Sequence, residues 1–237
     1  MAEAFSKAAY GFEVAPSVID RLTEYFDSAF ENLAMGFPEV DWRALRNGHK
    51  AWGKYGWVVC DGFPFSYVSS PPESLEDANA LAMKVMRKAD IDVMFEELQN
   101  SIPKKRDIRE AVELYGERHY KPCAMMLFSL IDCELYKEDW RLHGRKGKGD
   151  ASRPLNAMRQ TEDVSSVFAL TAEGAFHAHQ SFYKGGGGGF TRANEGELNR
   201  NFLMHGMTYD RVSRRSCVKL FALLNCICRL KEERRGR

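Results

Sequence analysis

Residues 120–136 read YKPCAMMLFSLIDCELY. Ala124, Leu127, Phe128, Ile131 and Leu135 recur at three- and four-residue steps, the period that places them on one face of a helix. That face is wide and apolar, so the segment reads as a helix set in the centre of a core. It is not a membrane span. Its longest apolar run, Cys123 to Ile131, includes Ser129 and covers about half of the roughly 20 residues a crossing needs. A chain built around such a helix is expected to be all-α.

The neighbouring segments carry the same period. Asp107 to Tyr115 is helical in pattern, and Ala157 to Tyr183 continues it through Val164, Phe168, Leu170, Phe176 and Phe182. Ser213 to Glu233 has the stripe Cys217, Leu220, Phe221, Leu224, Ile227 and Cys228. Four such segments predict a four-helix bundle over residues 107–237. The preceding region, 1–106, is also helical in pattern. Pro16 to Leu33 is amphipathic, with proline suited to the first turn. Ser74 to Met94 opens on Ser74-x-x-Asp77, a capping pattern, and Val93 to Ile102 stops before Pro103. Only Tyr55 to Cys60 has strand-like composition. Trp140 to Pro154, basic and glycine-bearing, reads as a loop. A division near 101–106 is suggested by Pro103 and the basic triplet Lys104 to Arg106.

Composition sets the outer limits. The 237 residues are 44% hydrophobic and 28% charged, which excludes disordered and collagen-like chains. Net charge is +1, yet residues 1–100 hold 9 Lys/Arg against 16 Asp/Glu, and the remainder 25 against 17. A basic C-terminal half suits a phosphate backbone, because each cation placed on a phosphate releases counterions. A solvated helix end and basic tail would give the same arithmetic. The six cysteines form no CxxC pair and read as small buried hydrophobes. Residues 1–10 lack the pattern of a secretion signal, so a reducing cytoplasm is the expected location.

Most familiar catalytic patterns are missing. Gly185 to Gly189 lacks the Lys-Ser/Thr that a phosphate loop carries, and reads as a connector. His177 and His179 would point about 160° apart on a helix, so they cannot share an ion, although Glu173 and His177 could. No HExxH occurs, no third ligand is evident, and no metal or cofactor is expected. No GxSxG or cysteine-nucleophile signature is present.

Residues 194–207, NEGELNRNFLMHGM, are more informative. Asn194 with Glu197 three residues on predicts a capped helix starting near Glu195, with Gly206 just past its end. Such a helix carries Asn199, Arg200 and Asn201 in its middle and His205 in its last turn. Arg200 is a permanent cation whose planar fork suits a phosphate, and histidine is the side chain suited to proton transfer near neutral pH. Five residues turn through about 500°, which leaves Arg200 and His205 roughly 140° apart on an ideal helix. Either the long arginine wraps around, or a second copy completes the site. A surface arginine beside a helix-ending histidine is the plain structural alternative.

Arg200-Asn201-Phe202-Leu203-Met204-His205 resembles the Rx4-6H motif of the HEPN superfamily, including the polar residue after the arginine. The likeness extends over residues 107–232. An Asn-Arg pair precedes a His-Gly pair, Lys219 to Leu224 resembles the family's final helix, and the helix holding Asp132 and Glu134 resembles its earlier core helix. The resemblance implies a four-helix up-and-down bundle that dimerises, pairing two motif segments across a cleft. It also implies, in catalytic members, a metal-independent endoribonuclease that leaves a 2′,3′-cyclic phosphate. Such members act as toxins or antiviral effectors, which implies a neutralising partner protein; other members only bind RNA or a nucleotide.

On this reading His205 transfers protons, Arg200 holds the scissile phosphate, and Asn201 orients one or the other, with Asn199 a further candidate. RNA is the substrate because only RNA supplies the 2′-hydroxyl. Lys146, Lys148, Arg211, Arg214 and Arg215 are candidate backbone contacts, and residues Glu197 to Tyr209 are the expected homodimer seam. The alternatives are a non-catalytic HEPN module and a purely structural helical interaction protein.

Overall fold

The computed structural model of the chain describes residues 41–59, 63–144, 151–160, 167–184 and 189–236. Among these there are eleven helices and no strand. In chain order they are α1 Trp42–Lys54, α2 Phe65–Ser69, α3 Leu75–Val85, α4 Lys88–Ser101, α5 Lys105–Gly116 and α6 Tyr120–His143. Then follow α7 Arg153–Arg159, α8 Val167–Phe182, α9 Arg192–Glu195, α10 Arg200–Met204 and α11 Arg214–Gly236. Residues 42–237 form one compact unit. The helix expected over 16–33 lies outside the described residues.

Helix α11 is the most enclosed element. Every residue from Ser216 to Cys228 is buried, so the helix is covered on all sides. It packs on α6, α4 and α8, while α5 lies on α6 and α1 lies along α8. Phe95, Tyr115, Tyr120 and Phe221 meet ring to ring at 4.6–6.0 Å and tie α4, α5, α6 and α11 together. Phe128 meets Phe182 and Tyr183 at 6.0 and 5.7 Å, joining α6 to the end of α8.

The packing runs across the 101–106 stretch. Lys219 Nζ donates to the Tyr55 carbonyl at 2.8 Å, Asn225 Nδ2 donates to Glu97 Oε2 at 2.7 Å, and Phe95 lies against Phe221. The stretch separates an acidic sequence from a basic one, while the core is shared.

Several local expectations are corrected. The pattern over 74–94 is two helices. Ser74 caps the first, its Oγ accepting from the Asp77 amide at 3.1 Å, and the chain breaks at Met86–Arg87, where Asp90 caps the second by accepting from the Arg87 amide. Trp57 to Val59 are not a strand; the Trp57 and Val58 side chains are buried, and Trp57 Nε1 donates to Asn79 Oδ1. Helix α6 continues through Trp140 to His143, and α7 is separate from α8.

Helix α1 approaches its neighbours at two glycines. A Cβ on Gly48 would lie 2.0 Å from the Val68 carbonyl oxygen, and one on Gly53 would lie 2.6 Å from the Gly174 oxygen and the His177 Cβ. In an open helix Gly→Ala gains roughly 1 kcal/mol. Here backbone must move, at a cost of about 3 kcal/mol. Gly48→Ala is therefore expected to lower the melting temperature by about 5–10 °C, measured by circular dichroism. A rise would mean that α1 is not held this closely.

Candidate functional site

The segment 189–210 holds the motif residues and braces itself. Helix α10 starts at Arg200, and its cap is Asn199, whose Oδ1 accepts from the Asn201 amide at 2.9 Å. This corrects the expected cap at Asn194: α9 ends at Glu195, Gly196 turns the chain at φ +68°, and α10 begins afresh. Asn199 is fully buried, and its Nδ2 donates to the Lys184 carbonyl.

The end of α10 is as the pattern anticipates. Gly206 has φ +72°, the Gly206 amide donates to the Leu203 oxygen, and the Met207 amide donates to the Phe202 oxygen. That is a Schellman closure, with His205 as its last right-handed residue. Buried Glu195 accepts the Tyr209 amide through both oxygens, and the Tyr209 hydroxyl donates to the Phe190 carbonyl at 2.8 Å.

Arg200 turns toward the core. Its Nη2 donates to Asp132 Oδ2 on α6 at 3.0 Å, and its Nη1 reaches Asn201 Oδ1 at 3.5 Å. Asp132 Oδ1 accepts the Tyr183 hydroxyl at 2.7 Å. Burial, then the Asp132 carboxylate, pushes the Tyr183 phenol upward, so it stays protonated and keeps donating. The carboxylate thereby fixes the arginine from α6 and the end of α8 together. Arg200 Nε is enclosed without a hydrogen-bond partner among the described residues. His205 is exposed, and its ring lies 5.5 Å from that of Phe190. Arg200 and His205 thus bound one five-residue helix but serve different neighbours.

Glu197 plays another part than the capping expected of it. Its carboxylate accepts from Arg215 Nε at 3.0 Å and from Lys219 Nζ. Lys219 is 1% exposed and lies 5.2 Å over the Trp57 ring. Burial pulls its ammonium down to about 8, against the opposing influence of Glu197. This pair of a buried lysine and a half-buried carboxylate fastens the entrance of the motif segment to α11. Sequence reasoning missed Asp132, Tyr183, Glu197 and Lys219 as members of one site; a charged residue inside the α11 stripe was the available signal for Lys219.

The other candidates are dispersed. Arg214 donates to the Tyr115 hydroxyl at 2.8 Å, Arg215 is held by Glu197, and Arg211 is exposed. Lys146 and Lys148 lie outside the described residues. Glu173 and His177 do come together, at 3.0 Å, but as part of a hub. Glu173 also accepts two hydrogen bonds from Arg46, at 2.8 and 2.9 Å, and one from Arg159 at 3.2 Å. Burial alone would raise this carboxyl; the hydrogen bonds from His177 and Arg46 and the charges of Arg46 and Arg159 outweigh it and hold it at about 2. His49, buried nearby, is lowered to about 4 by burial. Among the described residues no group of three or more His, Cys, Asp or Glu is placed to hold a metal ion, and no helix is long and apolar enough to cross a membrane.

No family model, curated protein or solved structure matches this chain.

Proposed function

We propose that residues 107–237 act as a HEPN-type, metal-independent endoribonuclease, a toxin or antiviral-defence effector kept in check by a partner protein. In this reading α5, α6, α8 and α11 are the four helices of the up-and-down bundle. The observation that carries it is the Arg200–Asp132 bridge. It ties the first residue of the motif helix to the central apolar helix, with Asn201 beside the guanidinium and His205 closing the same helix.

His205 takes the proton from the 2′-hydroxyl, the 2′-oxygen attacks phosphorus, and the bond to the 5′-oxygen breaks. The leaving 5′-oxygen then receives that proton back from the His205 imidazolium. Arg200 neutralises charge on the phosphate oxygens, where a preorganised cation typically contributes about 10²–10³-fold. Because Arg200 and His205 face different neighbours within one chain, the working cleft forms between two copies at the Glu197 to Tyr209 segment, each bringing both residues. Phe190, Met204, Met207 and Tyr209, all exposed around His205, supply apolar surface for that seam.

The same Asp132 bridge also favours a second reading. An arginine already neutralised by a carboxylate is a structural tie, and the module then binds RNA without cutting it. Incubation of the full chain with end-labelled RNA in EDTA separates the two. The expected products carry a 2′,3′-cyclic phosphate and a free 5′-hydroxyl. A 5′-phosphate product overturns the mechanism, and binding without cleavage selects the second reading.

A further inference from the structure

We propose that α1 presents a phosphate-binding stripe that takes the backbone of single-stranded RNA, an inference that rests on the RNA reading above. Helix α1, WRALRNGHKAWGK, contains Arg43, Arg46, Lys50 and Lys54 and no acidic residue. At 100° per residue these four fall within about 80° of one another, and they extend over about 16 Å at 1.5 Å per residue. Every exposed residue of the helix is on this face: Arg43, Asn47, Lys50 and Lys54. Among the described residues none of Arg43, Lys50 and Lys54 has a carboxylate within salt-bridge distance, although the chain holds 33 of them.

The stripe is fixed in place. Of the buried residues of the helix, Gly48 and Trp52 lie opposite the stripe and His49 and Gly53 along its Arg46 edge, and the two glycines admit the backbones and side chains of α2 and α8. Arg46, at the edge of the stripe, anchors to Glu173. Arg159 joins it there, donating to the same carboxylate and lying 4.0 Å over the Phe176 ring. Two guanidiniums sharing one carboxylate leave a net positive charge at this edge, and neither Arg46 Nη1 nor Arg159 Nη2 donates to a described residue.

The arrangement favours a polyphosphate over other anionic partners. A protein interface is built around buried apolar anchors, and this face exposes none. A membrane surface is held by an amphipathic helix that inserts its apolar face, and the buried side of α1 is already packed on α2 and α8. Cations spaced by 4.5–6 Å along a rigid line match a chain of single charges.

The test is a salt titration with the full chain carrying His205→Ala, so that RNA stays intact, and a fluorescein-labelled single-stranded RNA followed by anisotropy. In that background Arg43→Gln, Lys50→Gln and Lys54→Gln are combined, Arg46 being left alone for its structural bridge. Each lost phosphate contact removes about 0.7 from the slope of log K against log salt, so the triple variant should lose about 2. Scaled from 1 M, where this contribution vanishes, that is about 100-fold weaker binding at 0.1 M salt. An unchanged slope and affinity, at an unchanged melting temperature, overturns the stripe. So does binding to vesicles containing phosphatidylserine with none to RNA. The fate of the ribonuclease reading is read separately from EDTA cleavage by the wild-type chain: normal cleavage with an unaffected triple variant sinks the stripe alone, and a lost slope without any cleavage sinks catalysis alone.

Discussion

Alanine at position 205 is expected to lower RNA cleavage by about 10²–10⁴-fold, the usual contribution of a positioned proton-transfer group. The imidazole is exposed, with its ring 5.5 Å from that of Phe190, so its removal leaves the core intact. The melting temperature should stay within about 2 °C of wild type, as for surface substitutions away from caps and buried charges. Arg200→Ala differs on that second measurement. It removes the cation that neutralises Asp132 and leaves a partly buried carboxylate with the Tyr183 hydroxyl as its remaining side-chain partner among the described residues. It should lose activity and a few degrees of stability together, whereas His205→Ala loses activity alone. Equal cleavage by wild type and His205→Ala would mean a contaminating nuclease.

The two variants mixed together test the shared cleft. If Arg200 of one copy works with His205 of the other, random exchange of the single mutants restores one complete pair in half of the dimers. Activity then returns to about a quarter of wild type. If each chain works alone, nothing returns. Light scattering at micromolar protein gives the prerequisite, since a strict monomer removes the cleft.

The all-helical class was legible because α6 and α11 bury aliphatic side chains at helical spacing, and only the short stretch Tyr55 to Cys60 had a composition that competed with that pattern. The Gly206 stop was legible for a similar reason: a Schellman turn needs a left-handed residue at that place. Helix α1 was not, because its buried face consists of Gly48, His49, Trp52 and Gly53, which fill close contacts and give no apolar stripe. The summed charge of residues 1–100 concealed it further, since acids on other elements cancel its four cations. The cap of α10 was misplaced because Asn194 and Asn199 both precede plausible helices, and only the turn at Gly196 decides between them. Asp132 and Tyr183 could not be joined to Arg200 at all. They lie 68 and 17 residues away, and only tertiary packing brings them together.

Acidification should loosen the α1–α8 seam in two successive steps. His49 is buried neutral, lowered from 6.5 to about 4, so the unfolded chain binds its proton first and stability falls as pH drops from 6.5 toward 4. Glu173 is held at about 2 against 4.5, so its contribution is full above pH 4.5 and is lost on going down to pH 2. Each shift corresponds to roughly 3 kcal/mol at its limit. The two sites are coupled, because an ionised Glu173 favours a charged His49, so the total is less than the sum. The urea midpoint of the wild type is therefore expected to fall steeply from pH 7 to pH 4. His49→Gln removes the proton uptake and should flatten that portion, whatever its own stability at pH 7. Glu173→Gln should cost about 2–3 kcal/mol at neutral pH, below the 3–5 kcal/mol of a fully enclosed pair, because Arg46 and Arg159 keep 34% and 23% of their side chains in water. It should also abolish the decline below pH 4.5. If His49→Gln follows the wild-type slope between pH 7 and 4, the histidine is not buried against this carboxylate, and the packing of α1 on α8 is other than described.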